Sequence, residues 1–223
     1  MAAELGVGLR RLETAWFRRD VVTVARDLIG TVLVHGTRAG VIVETEAYLG
    51  PEDLASHTRF GITARNSVMF GPGGVAYVYL CYGIHEMFNI VTGEDGEGQA
   101  VLIRAIAPYR GLADDKTVGR GPGKVTKALG IDRSLDRKPL AKGPLYVASL
   151  GVGSPASAGH VEAPELTSWA NVPPRQIASG PRIGVEFAGD DWKARPLRFW
   201  WRDHPSVSGP RGTTLSTRRK RGR

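Results

Sequence analysis

This chain has little of what staples a fold or carries it through a membrane. Among 223 residues there is one cysteine, Cys81, which excludes an internal disulfide framework and any cysteine-cluster zinc site. The histidines, His35, His57, His85, His160 and His204, show no HExxH pair or other ligand spacing, so no metal is expected, and no cofactor. No window approaches the ~20 apolar residues that a bilayer span needs. The opening stretch "MAAELGVGLRRLETAWF" lacks the continuous apolar core of a signal peptide. A soluble protein of a reducing, cytoplasmic compartment, with no membrane partner, is the expectation.

Two further absences concern charge. The final stretch, "RGTTLSTRRKRGR", holds six basic residues (Arg211, Arg218, Arg219, Lys220, Arg221, Arg223) and no acid. Of the net charge of +8, only +2 (8 − 6) therefore belongs to residues 1–210. A body that binds polyanions over its whole surface is excluded, and the tail reads as a solvated basic segment able to touch nucleic acid. Lysine is also missing from Met1 through Asp115; Lys116 is the first.

What is present reads as one domain with its own core. Apolar residues make up 42% and charged residues 23%, ordinary values for a globular chain of this length. The expected organisation is an N-terminal extension over 1–19, a domain over 20–210 and a basic tail over 211–223. Asp20 is placed to cap a helix through "VVTVARDLI", closed by Gly30. "TVLVHG" and "GVIVETEAYLG" read as a hairpin, and "PEDLASH" as a turn running into one helical turn. "VAYVYL", "IHEMFNIV" and "QAVLIRAIAP" read as further strands, and "GPGKVTKALGI" as a helix opened by Pro122. "LYVASLG", "RIGVEF" and "PLRFWWRD" complete the strands. With no regular alternation of strand and helix, the fold class is α+β: a single mixed domain on a curved antiparallel β-sheet with few flanking helices.

Polar and aromatic residues crowd between positions 44 and 104. In "VETEAYLG", Glu44 and Glu46 lie two apart on a strand and should share a face, where like charges repel. Tyr77 and Tyr79 likewise share a face. Each tyrosine alone reads as core with its hydroxyl at the rim, but together with Tyr48, Tyr82 and His57 they form a platform for a planar ring. "GRGPGKV" has Val125 where a phosphate loop needs Ser or Thr, which leaves a glycine-rich helix N-terminus with Lys124.

The run "VIVETEAYLGPEDLASHTRFGITARNSVMFGPGGVAYVYLCYGIHEMFNIV", with "VLIRAIAP", "GPGKVTKALGI" and "PLRFWWRDHPSVS", resembles the alkyladenine (3-methyladenine) DNA glycosylase family. The likeness covers about Asp20 to Ser208; it is loose around "SPASAGHVEAPELTSWANVPPRQ" and leaves out the tail. It implies that Glu46 is the catalytic carboxylate that orients water for attack at the sugar carbon, with Arg104 beside it. It implies that Tyr48, His57 and Tyr79 sandwich a flipped base, with Tyr77 in the same substrate pocket, and that Asn89 crowds the exocyclic amino group of guanine. Tyr82 matches an aromatic wedge at a turn tip, with Gly83 and Ile84 beside it on the DNA. Gly73-Gly74 and Gly121, Gly123 and Lys124 would let phosphates approach. The implied partner is double-stranded DNA with alkylated or deaminated purines, bound by a monomer, nucleoid-associated if the protein is bacterial.

Two other readings explain less. A carbohydrate glycosidase would need its carboxylates on opposite sides of the scissile bond, which neighbours on one strand face do not supply. A non-catalytic nucleic-acid-binding module leaves Glu46 without a purpose near phosphates. On the family reading, the missing lysines remove the amine that a strand-cutting glycosylase uses, so a monofunctional enzyme is expected.

Overall fold

The computed structural model describes residues 8–150 and 173–209. The basic tail and most of the loosely matching segment lie outside the described residues. The chain opens with β1 (Leu9–Arg11) and a single helical turn, α1 (Thr14–Phe17). The described part of the strip expected as an extension, residues 8–19, packs into the fold: β1 pairs with a later strand, and Phe17 is fully buried. Helix α2 (Val21–Asp27) is capped as its sequence predicts, Asp20 accepting from Thr23 N at 2.8 Å. Its buried Val21, Val24, Ala25 and Leu28 fall at helical spacing and form one stripe facing the sheet.

Strands β2 (Val32–His35) and β3 (Arg38–Tyr48) form the first hairpin, followed after a long loop by β4 (Ala76–Cys81), β5 (His85–Thr92) and β6 (Gln99–Arg110). Helix α3 (Pro122–Leu129) comes next, then β7 (Leu145–Leu150), β8 (Ile177–Gly180), α4 (Gly189–Ala194) and β9 (Arg198–Trp201). The strands form one open antiparallel sheet in the order β1-β7-β2-β3-β6-β5-β4, with β9 joining β3 and β8 joining β9. The expected α+β domain on an antiparallel sheet is what the chain forms. Helices α2 and α3 cover one face; Val32, Val34, Val41, Val43, Tyr146 and Trp200 build a second core on the other.

Strand β3 is the spine that places the site. It pairs with β6 along its length, with β2 over its first half, and with β9 at Glu44, Thr45 and Glu46. The register against β6 slips between Ile42 and Thr45, a bulge that changes which face each residue meets. Ile42 and Ala47 lie in the core beneath α2, and Thr45 Oγ1 donates to Ala25 O at 2.7 Å. Glu44 and Glu46 are left together on the opposite face.

Two local expectations are corrected. "RIGVEF" is not a strand: residues 181–185 are irregular and lead into a short 3-10 turn, Glu186–Ala188. Its alternating apolar pattern is real, but Gly184 stands at φ 78°, outside any strand geometry. Gly73 and Gly74 are not a phosphate approach. A Cβ on Gly73 would lie 2.6 Å from Phe17 O, so these glycines let the loop before β4 pack on α1.

Candidate active site

The two carboxylates of β3 are both fully buried. Two uncompensated charges there would be very costly, and the chain answers with two arginines. Arg104, from β6, reaches Glu44 Oε1 through Nε and Glu46 Oε1 through a terminal nitrogen, both at 3.3 Å. Arg198, from β9, donates to Glu44 Oε1 at 2.7 Å, and Ser208 N donates to Glu44 Oε2 at 2.6 Å. Burial alone would lower the Arg104 pKa, but Glu46 and then Glu44 outweigh it, so its pKa sits above the ordinary arginine value.

The two glutamates differ in their remaining partners. Glu44 faces arginines and backbone at the junction of β3, β6 and β9. Glu46 accepts from Ile183 N at Oε1 (2.8 Å) and from the Tyr48 hydroxyl at Oε2 (3.0 Å). Burial first, and the Glu46 charge second, hold the Tyr48 pKa well above that of a free phenol, so its hydroxyl keeps its proton and donates.

Beyond Tyr48 opens a cavity of about 300 Å³. Its walls include Tyr48, His57, Tyr77, Tyr79, Asn89 and Val185. His57 and Tyr79 meet edge to face with ring centroids 4.5 Å apart, and Tyr77 and Tyr79 are stacked at a tilt, 5.3 Å apart. The Tyr77 hydroxyl hydrogen-bonds His57 Nδ1 at 2.9 Å. Asn89, opposite Tyr77 across the β4–β5 pair, donates to Tyr77 O at 3.3 Å. Burial pushes the Tyr77 phenol up to about 12 and raises Tyr79 as well. His57 moves the other way, to about 4, through burial and then the nearby cations Arg65 and Arg59. At neutral pH it is an uncharged aromatic wall.

Tyr82 and Gly83 form the tip of the β4–β5 hairpin, with φ of 50° and 70°, closed by Ile84 N donating to Cys81 O at 3.1 Å. Tyr82 is 93% exposed and Ile84 74%, while Tyr82 also touches the cavity mouth. The first turn of α3 lies beside this hairpin: a Cβ on Gly123 would come within 3.1 Å of the His85 side chain. No side chain caps α3, Gly121 stands at φ 123°, and Lys124 is exposed.

The structure thus gathers Tyr48, His57, Tyr77, Tyr79 and Asn89 around one cavity and sets Tyr82, Gly83 and Ile84 at its rim. Gly121, Gly123 and Lys124 neighbour the rim. Glu46 and Arg104 do not line the cavity; Glu46 sits behind Tyr48, one hydrogen bond from it, and Arg104 lies behind Glu46. Residues not anticipated are Arg65, whose guanidinium lies 4.9 Å from the Tyr79 ring centre, and the 181–187 loop, which supplies Ile183 N, Gly184, Val185 and Phe187. The interior glycine after Pro181 was a usable sign that this stretch approaches other groups closely instead of pairing as a strand.

Comparison with known proteins identifies the family. The sequence model of the family described as methylpurine-DNA glycosylase (MPG) matches residues 15–205. A candidate 3-methyladenine DNA glycosylase of Myxococcus xanthus (strain DK1622) is 45% identical over 204 residues, covering 89% of this chain and 94% of its own. One from Methanoculleus marisnigri (strain ATCC 35101 / DSM 1498 / JR1) is 44% identical over 209 residues, covering 88% and 98%. One from Legionella pneumophila (strain Corby) is 40% identical over 204 residues, covering 90% and 99%.

Proposed function

The chain belongs to the methylpurine-DNA glycosylase family of hydrolytic N-glycosylases, and from that premise we propose that it flips alkylated or deaminated purines out of duplex DNA and releases them with Glu46. The observation that carries this reading is the placement of a buried, triply bonded carboxylate directly behind an aromatic cavity. At about 300 Å³ the cavity is at the small end for ligand sites and suits one planar base.

Alkylation at a ring nitrogen leaves a purine cationic and a good leaving group. Aromatic walls favour such a cation by roughly 1–2 kcal/mol when it is desolvated, and a neutral His57 adds no repulsion. As the glycosidic bond breaks, positive charge develops on the sugar. A carboxylate already oriented by Ile183 N, Arg104 and Tyr48 stabilises that charge without reorganising and holds the attacking water. Glu46 Oε2, on the Tyr48 side, is the oxygen we assign to the water once the base has entered. Neutral lesions such as hypoxanthine need a proton on departure, which a histidine of pKa about 4 does not supply at neutral pH; alkylated purines should therefore leave faster. Tyr82 fills the gap in the stack, and the glycine-rich start of α3 receives a phosphate at Gly123 N and the exposed Lys124. We take the protein to act as a monomer on DNA.

The test is base release from methylated and hypoxanthine-containing duplexes by wild type and Glu46→Gln. The expected result is release by wild type, faster from methylated DNA, and none by the variant, which should still bind an abasic-site analogue. Substantial release by Glu46→Gln would overturn the assignment.

A further inference from the structure

A second buried ion pair lies behind the cavity, and nothing in the reaction scheme above uses it. Asp53 follows the Gly50-Pro51 turn. Its carboxylate accepts from Leu49 N at 3.1 Å and Ala55 N at 2.9 Å, folding residues 49–55 into a tight loop. Ala55 is part of the cavity wall, and the next residue, Ser56, caps the 3-10 turn that carries His57. Far along the chain, Arg182 meets Asp53 in a two-pronged pair of 2.5 and 2.8 Å, and also donates to Ala47 O at 2.9 Å. Neither side chain has solvent exposure.

The position of this pair is what makes it informative. The Arg182 guanidinium lies 4.7 Å from the centre of the Tyr48 ring, backing the residue that donates to Glu46 Oε2. Ile183, the next residue, donates its N–H to Glu46 Oε1, and Gly184 and Val185 continue as cavity wall. One ion pair therefore ties together the loop before His57, the backing of Tyr48 and the irregular 181–185 segment. That segment has no strand partner to hold it, so its path depends on side-chain anchors. Stability alone gives little reason for charges here, since a buried ion pair is often replaceable by apolar residues at no loss. Planar two-pronged geometry fixes orientation, which apolar packing does not.

We propose that Asp53 and Arg182 are positioning residues for base excision, holding the Ile183 N–H and the Tyr48 hydroxyl on the two oxygens of Glu46. The inference rests on the reading of Glu46 as the reacting carboxylate. A misplacement of about 1 Å at such a group can cost ~100-fold in rate.

The test uses the full-length protein and three measurements: unfolding midpoint, affinity for an abasic-analogue duplex, and single-turnover excision of a methylated base. The double variant Asp53→Asn/Arg182→Met removes both charges, so neither is orphaned. Because the Asn amide leaves one of the Leu49 and Ala55 N–H groups without an acceptor, its midpoint should fall modestly, yet the folded variant should bind the analogue normally and excise about 100-fold more slowly. Recovery of excision together with stability would show the pair to be structural and would overturn the proposal. If the double variant does not fold, Arg182→Lys decides: it keeps the charge opposite Asp53 but loses the fork, and should excise about tenfold more slowly at unchanged binding. A wild-type rate in Arg182→Lys would also overturn the proposal. Glu46→Gln run in parallel separates the two failures: an active Glu46→Gln sinks the catalytic assignment, whereas an inactive one beside fully active Asp53 and Arg182 variants sinks only the positioning role.

Discussion

The Tyr48 hydroxyl donates to Glu46 Oε2 at 3.0 Å, and the ring that carries it lines the cavity. A single residue therefore forms part of the cavity wall and orients the carboxylate behind it. These two roles are separable, because Tyr48→Phe keeps the ring and removes only the donor. Single-turnover excision should fall by about 10–100-fold while affinity for an abasic-analogue duplex stays within roughly threefold. An unchanged excision rate would mean that Ile183 N and Arg104 suffice to orient Glu46.

Glu44 should answer differently from its neighbour. It accepts from Arg104, Arg198 and Ser208 N; none of these three lines the cavity, and only Arg104, which also holds Glu46, connects it to the site. Glu44→Gln removes the carboxylate that the buried Arg104 and Arg198 share. Breaking such a pair costs about 3–5 kcal/mol, which for a chain of this size lowers the unfolding midpoint by roughly 6–20 °C. Calorimetry on Glu44→Gln and Glu46→Gln, beside their excision rates, should show the larger thermal loss in the first. The reverse ranking would contradict the division of labour.

Much of this architecture was legible because it is local. The runs over 41–48, 76–81, 85–92 and 99–108 are short, largely apolar and rich in β-branched and aromatic residues, and turn residues bound them, so their strand character needs no distant partner. Asp20 caps α2 in the same local way, whereas the helix ends at Asp27, short of the Gly30 expected to close it. The shared face of Glu44 and Glu46 could be expected, but the bulge at Val43 could not. No glycine or proline marks it, and it arises from fitting β3 to β6 and β9 together. The partners of buried charges were equally hidden. Arg182 lies 129 residues from Asp53, in a stretch whose alternation mimics a strand. Only the closed fold shows that Glu46 stands behind Tyr48 and not on the wall itself.

His57 gives stability a pH signature. Burial, then Arg65 and Arg59, bring its folded pKa to about 4, below the ~6.5 of an unfolded histidine. The unfolded chain therefore takes up the proton first. The contribution of His57 is fully present above pH ~6.5 and is lost as pH falls toward 4, at about 1.4 kcal/mol per unit of difference. Urea midpoints measured from pH 4 to 7 should rise more steeply for wild type than for His57→Gln. Parallel curves would show that His57 is not held neutral by its surroundings.

Tyr82 stands at φ 50° on an exposed hairpin tip, a conformation that costs a non-glycine residue about 1–2 kcal/mol. Nothing in the fold needs an aromatic ring there, which points to a partner. Tyr82→Ser should leave the unfolding midpoint nearly unchanged, as exposed substitutions usually stay within about 0.5 kcal/mol. Excision from duplex DNA should nevertheless drop more than excision from single strands, because only the duplex has a gap to fill. An equal drop on both substrates would remove Tyr82 from the wedge role.

The cations around the cavity bear on what happens after the base leaves. Cutting the strand at an abasic site proceeds through an amine that forms a Schiff base with the opened sugar. Among the described residues, the cavity lining holds Arg65 as its cation and no lysine. The sequence has none before Lys116, and Lys124 projects from the exposed face of α3. A guanidinium keeps its proton and cannot take the place of an amine. On the proposed reading, water oriented by Glu46 serves as the nucleophile, and the expected product is an intact strand with an abasic site. Borohydride added during turnover on a methylated duplex should trap no covalent protein–DNA adduct, and gel analysis without alkali should show full-length strand. A stable adduct would place an amine at the sugar and displace Glu46-bound water from the mechanism.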